Sequence, residues 1–119
     1  MIILTDIALL VVAFLHFIFL FLEMFLWTRP FGQRTFGLTP EFAVASKTLA
    51  ANQGLYNGFL AAGLIWGLFL GTGGFGVRIF FLACALVAGL YGGLSSSRKI
   101  LWAQAMPAII TLGLVLISG

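Results

Sequence analysis

"MIILTDIALLVVAFLHFIFLFLEMFLW" (residues 1–27) is an almost unbroken apolar run that ends shortly before Pro30. About 20 apolar residues are enough for a helix to cross the hydrocarbon core of a bilayer. The run has no basic region at its start and no small-residue cleavage site, so it does not read as a cleavable signal peptide. It predicts a first membrane-spanning helix.

The composition of the whole chain points the same way. Of its 119 residues, 62% are hydrophobic and 8% are charged, whereas soluble domains carry about 25% charged residues. Hydropathy places four spans, at about residues 3–27, 42–70, 76–94 and 100–117. We therefore expect an all-α membrane protein, a four-transmembrane-helix bundle that forms a single domain over residues 1–119.

Helix signals mark the second span. Thr39 is a good N-cap, Pro40 suits the first helical position and Glu41 suits the first turn. The linker before it, "TRPFGQRTFGLT" (residues 28–39), mixes basic and aromatic residues and predicts an amphipathic segment on the membrane surface.

The basic residues predict an orientation. Five of the six basic residues lie after the first span, at the start of the second span, or between the third and fourth spans. They are Arg29, Arg34, Lys47, Arg98 and Lys99. Arg78 alone belongs to the opposite side. The positive-inside rule then places both termini on the non-cytoplasmic side.

A helical projection at 100° per residue separates polar from apolar faces. In the first span, His16 and Glu23 lie opposite a face of large apolar residues (Phe14, Phe17, Ile18, Phe21 and Phe25). In the second span, an arc of about 140° holds Asn52, Gln53, Tyr56 and Asn57. We expect these polar side chains to face inward, where Tyr91 and Gln104 either complete a pocket or end a hydrogen-bond network.

Small residues form separate rows that predict close helix packing, within the chain or across a homo-oligomer. They are Ala50, Gly54, Gly58 and Ala62 in the second span, and Gly89 and Gly93 in the third.

Three stretches carry a resemblance to a known family: "HFIFLFLEMFLWTRPFGQRTFGLTPEFA", "LAANQGLYNGFLAAGLIWG" and "AQAMPAIITLGL". They resemble the small bacterial integral membrane proteins catalogued as domain of unknown function 1304, over essentially the whole chain. The resemblance implies a four-helix protein of the bacterial inner membrane and no particular activity.

Glu23 is the strongest functional candidate, since placing a carboxylate within a membrane span costs about 2.5–3.5 kcal/mol of insertion free energy unless the group is neutralised or solvated. We expect a cytoplasm-facing polar pocket, centred on Glu23, that binds or moves a small molecule. Two alternatives stay open: a non-catalytic assembly subunit, and an intramembrane enzyme acting on a lipid or quinone, for which no nucleophile is evident.

No cofactor, metal or nucleic-acid partner is expected. His16 and Glu23 are about 10 Å apart along the helix axis, too far to chelate one ion, and Cys84 is the only cysteine. Nothing in the chain resembles a phosphate loop or a nucleic-acid motif.

Overall fold

A computed structural model of the chain describes residues 2–118, and nearly all of them are helical. The long helices are α1 (Ile2–Phe25), α3 (Pro40–Phe69), α4 (Phe75–Ser95) and α6 (Met106–Ser118). Two short ones, α2 (Pro30–Phe36) and α5 (Arg98–Ile100), belong to the connections. No strand occurs in this part of the chain, so the all-α prediction is confirmed.

Three helical segments of the described chain, not four, are long and apolar enough to cross a membrane. They are Ile2–Phe25, Gly71–Ser95 and Arg98–Ser118, whose 18-residue apolar stretches have mean hydropathies of 2.6, 1.9 and 2.1. The helix predicted at 42–70 does form, as α3, and its 30 residues are more than long enough. It falls short in apolarity because polar residues occupy much of its first half.

Local signals fix the start of α3. The Thr39 hydroxyl accepts a hydrogen bond from the Phe42 amide at 3.1 Å, and the helix begins at Pro40, which confirms the predicted N-cap. The preceding linker forms α2, which ends at Gly37 in the left-handed conformation with φ 66°. A residue with a Cβ is strained there, whereas glycine is not.

Arg78 closes the far end of α3. Its Nη1 donates to the carbonyl oxygen of Gly67, in the last turn of α3, at 2.8 Å and to that of Gly71, in the turn that follows, at 2.9 Å. The Gly67 carbonyl is one that a helix C-terminus leaves without an intrahelical partner. The chain then passes through a short 3₁₀ turn, Gly71–Gly74, directly into α4.

An irregular turn separates α5 from α6. Residues Leu101–Ala105 form a π-helical turn, and Pro107 follows at the second position of α6. A proline has no N–H to donate and clashes with the carbonyl of the preceding turn, and a widened turn relieves that clash.

The chain divides into two compact units, which are described separately. The first holds the residues up to Leu15 and from Leu60 onwards, and the second holds His16–Phe59. In the first unit, buried side chains from four helices form one apolar core: Leu9, Val12, Ala13, Ala61, Leu64, Leu82 and Val115. Thr5 of α1 and Ser118 of α6 share a hydrogen bond of 3.3 Å in the same unit. That residues 1–119 act as a single domain stays a prediction.

Atoms of the π-helical turn lie very close to the predicted glycines of α4. A Cβ on Gly89 would lie 2.6 Å from the Ala105 backbone nitrogen, and one on Gly93 would lie 2.2 Å from Leu101 Cγ. Both contacts are tighter than a real Cβ tolerates, so α4 can pack on the π-helical turn only where these positions lack a side chain.

Candidate functional site

In the second unit, a side-chain hydrogen bond joins Glu23 of α1 to Asn57 of α3. Asn57 Nδ2 donates to Glu23 Oε1 at 2.5 Å, and both side chains are half-buried. Among the described residues Asn57 is the one polar partner of the carboxyl group. The bond thus joins one predicted site residue of α1 to one of α3, through a single amide.

Gly54 sets how closely α3 lies against α1 beside this bond. A Cβ on Gly54 would meet Met24 Cγ at 2.8 Å, Glu23 Cβ at 3.1 Å and the Leu20 carbonyl oxygen at 3.1 Å. One turn further along, a Cβ on Gly58 would lie 2.6 Å from Leu20 Cδ1. The absence of side chains at these two positions lets the amide of Asn57 reach the carboxyl group directly.

A second polar contact lies where α1 has ended. Trp27 Nε1 donates to Ser46 Oγ at 3.0 Å, and Ser46 Oγ donates to the Phe42 carbonyl oxygen at 2.7 Å. The Trp27 ring also packs against Phe36 of α2, with centroids 4.9 Å apart. Ser46 was not predicted to take part, because a lone serine near a helix start carries no distinctive signal.

The other polar residues of α3 do not face inward as expected. Asn52, Gln53 and Tyr56 are all exposed, and the Tyr56 ring packs edge-on against Phe59 at 5.6 Å. On the helical projection Asn57 lies about 20° from Ala50, whereas Asn52 lies about 160° from it. Within the second unit the inward strip of α3 therefore consists of Ala50, Gly54 and Asn57, and the rest of the polar arc turns away.

The projection of α1 was correct. Its face of large apolar residues is exposed, from 37% at Ile18 to 63% at Phe14, while His16 on the opposite side is completely buried. The His16 ring lies edge-on to Phe19 with centroids 5.5 Å apart.

Two further candidates belong to the first unit. Gln104 lies within the π-helical turn and is 9% exposed, whereas Tyr91 on α4 is 74% exposed. Among the predicted packing residues Ala50 is buried and Ala62 is exposed. Whether any of these residues contacts a ligand stays a prediction.

The described residues contain no group of three His, Cys, Asp or Glu side chains arranged to hold a metal ion. Within the same range, no buried side-chain nitrogen or oxygen lacks a hydrogen-bond partner. The chemistry available at Glu23 is thus that of one carboxyl group with an amide donor. It can exchange a proton, accept hydrogen bonds or attract a cation.

Comparison with known proteins agrees with the sequence resemblance. A family model described as a protein of unknown function, DUF1304, matches residues 10–116. The chain is 35% identical over 114 residues to the uncharacterized protein YpaA of Lactococcus lactis subsp. lactis, which covers 94% of this chain and 96% of that protein. No solved structure matches the chain.

Proposed function

Because the chain belongs to the bacterial DUF1304 family, whose function is unknown, we propose from its own geometry that it binds or moves a small cationic molecule at Glu23. The observation that carries this proposal is the hydrogen bond from Asn57, which holds a carboxyl group in a fixed position between two helices. The proposal places the protein in the bacterial inner membrane, and three helices of sufficient length and apolarity support a membrane location.

The energetic argument concerns the charge on Glu23. An ionised carboxylate within a span costs about 2.5–3.5 kcal/mol, and an interhelical hydrogen bond in a membrane averages only about 0.6 kcal/mol. One amide therefore offsets a minor part of that cost. A bound cation offsets much more, and part of the Glu23 side chain stays exposed.

The exposed polar residues of α3 extend this interpretation. Asn52, Gln53 and the hydroxyl group of Tyr56 supply hydrogen-bond donors and acceptors on the same helix as Asn57. Polar groups on a membrane-facing surface are costly unless water or a partner solvates them. In this proposal water solvates them on the part of α3 that turns away from Glu23, and they do not line the site itself.

The proposal includes α3 as a fourth membrane-crossing helix, with both termini on the non-cytoplasmic side. The Glu23–Asn57 bond and the glycine contacts support this placement, since they pack α3 against an apolar helix. The positive-inside rule supports the orientation.

The test uses tetraphenylphosphonium, an apolar monovalent cation that can reach a carboxylate below the membrane surface. Calorimetry on the detergent-solubilised protein should detect saturable binding by the wild type and none by Glu23→Gln. Glu41→Gln is the matched control, because Glu41 is an exposed carboxylate in the first turn of α3. Binding should weaken as the pH falls, because protonation removes the negative charge from Glu23. Equal binding by wild type and Glu23→Gln would overturn the proposal.

Close packing at Gly54 favours a second candidate, a non-catalytic assembly subunit in which the polar contacts only specify helix pairing. In that case Glu23→Gln should behave as wild type in every assay, because glutamine still accepts the Asn57 hydrogen bond. Gly54→Leu should then disrupt the pairing of α1 with α3 or the assembly with other chains.

A further inference from the structure

An apolar groove of about 510 Å³ opens on the surface of the first unit, between the end of α4 and the start of the segment Arg98–Ser118. Its walls include Leu90, Leu94, Trp102 and Met106, and these side chains are 44%, 82%, 68% and 39% exposed. Sites for small molecules occupy roughly 300–1,000 Å³ and are mostly apolar. The groove therefore has the size and surface of a binding site for a largely apolar molecule.

Arg98 is the single charged residue among the lining side chains of this groove. It lies at the boundary of the membrane, since one apolar segment ends at Ser95 and the next begins at Arg98. The side chain is exposed, and the structure gives it no hydrogen bond or ion pair to another described residue. A positive charge without a partner thus lies at the membrane-surface end of an apolar groove.

We propose that this groove seats an anionic phospholipid, with one acyl chain along Leu90 and Met106 and the phosphate on the Arg98 guanidinium. Basic sites at the ends of apolar grooves between membrane helices match the two parts of such a lipid, and a guanidinium pairs with phosphate through two parallel hydrogen bonds. Trp102 lies one turn after Arg98 and suits the interface next to the headgroup. A second copy of the chain is the competing occupant of the same apolar walls, and the test below distinguishes it from the lipid.

The site is independent of the function proposed for Glu23. The test compares phosphatidylglycerol with phosphatidylcholine of identical acyl chains, added to delipidated protein in detergent. Native mass spectrometry counts the bound lipids, and thermal unfolding measures the stabilisation. We expect wild-type protein to retain phosphatidylglycerol in preference to phosphatidylcholine, and Arg98→Gln to lower that retention about fivefold, as expected for one basic contact.

Lys99→Gln is the matched control, because it removes the same charge from the neighbouring residue, which does not line the groove. It should retain phosphatidylglycerol nearly as well as the wild type. Leu90→Trp keeps every charge and fills part of the groove, and it should lower the retention of both lipids. Inorganic phosphate alone should give no thermal shift, because it brings no acyl chain.

Four outcomes would overturn the assignment. The first is equal retention of phosphatidylglycerol by Arg98→Gln and the wild type, and the second is an equal loss of retention in Arg98→Gln and Lys99→Gln. The third is a thermal stabilisation by inorganic phosphate as large as that by the lipid. The fourth is a lipid-free dimer that Leu90→Trp abolishes. The last of these would assign the groove to a second copy of the chain.

Discussion

Asn57 Nδ2 lies 2.5 Å from Glu23 Oε1, which makes this amide–carboxyl bond a direct polar link between α3 and α1. Asn57→Leu should destabilise the protein by about 1 kcal/mol, because the variant leaves the half-buried carboxyl group without its hydrogen-bond donor. Unfolding in mixed detergent micelles, followed by circular dichroism, measures the change in free energy.

Glu23→Gln is the informative comparison for that experiment. Its amide oxygen still accepts from Asn57, so we expect the stability of this variant to stay close to that of the wild type. A loss as large as that of Asn57→Leu would mean that the negative charge, rather than the hydrogen bond, stabilises the helix pair.

Gly89→Ala tests the packing of α4 on the π-helical turn. The added Cβ would lie 2.6 Å from the Ala105 nitrogen and 2.9 Å from its Cα. Because these neighbours are backbone atoms that cannot rotate away, the variant should lose about 1–3 kcal/mol of stability. Thermal unfolding in detergent provides the measurement.

Gly113→Ala is the control for Gly89→Ala, since a Cβ at Gly113 meets nothing within 4 Å. Both glycines lie within helices, so alanine brings the same gain in helix propensity at each. Gly113→Ala should be neutral or slightly stabilising. If the two variants were equally stable, the close approach at Gly89 would not be a constraint on the fold.

Much of the fold could be predicted because its signals are local. The length of the apolar run before Pro30 predicts α1, and Thr39 with Pro40 predicts the start of α3. The projection of α1 correctly separated the buried His16 from the exposed Phe14, because the apolar and polar residues of that helix lie on opposite sides.

The candidate site was only partly predictable, because a helical projection does not show which strip of α3 meets its neighbour. The polar arc and the strip of small residues lie side by side, and the contact follows Gly54, where α1 approaches the backbone of α3 closely. Asn57 lies on that strip and Asn52 does not. The polar residues therefore did not identify the inward face of α3, whereas the small residues did.

The role of Arg78 was also missed, because sequence analysis used it only as a marker of topology. Arg78→Met should cost about 1–3 kcal/mol, since it removes a charged donor from the carbonyl groups of Gly67 and Gly71. Hydrogen exchange should become faster at the end of α3. Arg78→Lys should recover part of the protection, because an ammonium group also donates.

Arg34→Met is the control for Arg78→Met. It removes the same charge from an exposed residue of α2. In the described part of the chain, the Arg34 side chain makes no hydrogen bond. Its exchange pattern at the end of α3 should match that of the wild type. Unchanged exchange in Arg78→Met itself would contradict the capping role.

The membrane crossing of α3 can be tested with single cysteines, in a background where Cys84 is replaced by alanine. Thr72 lies in the turn after α3, and Ser96 follows α4. If α3 crosses the membrane and both termini are outside, an impermeant thiol reagent should label Thr72→Cys in intact cells and leave Ser96→Cys unlabelled until the membrane is opened. If α3 stays on the cytoplasmic side, each later connection changes sides, so Ser96→Cys would be labelled and Thr72→Cys would be protected. That reversed pattern would restrict the membrane-crossing segments to the three most apolar helices and would refute the proposed placement of α3.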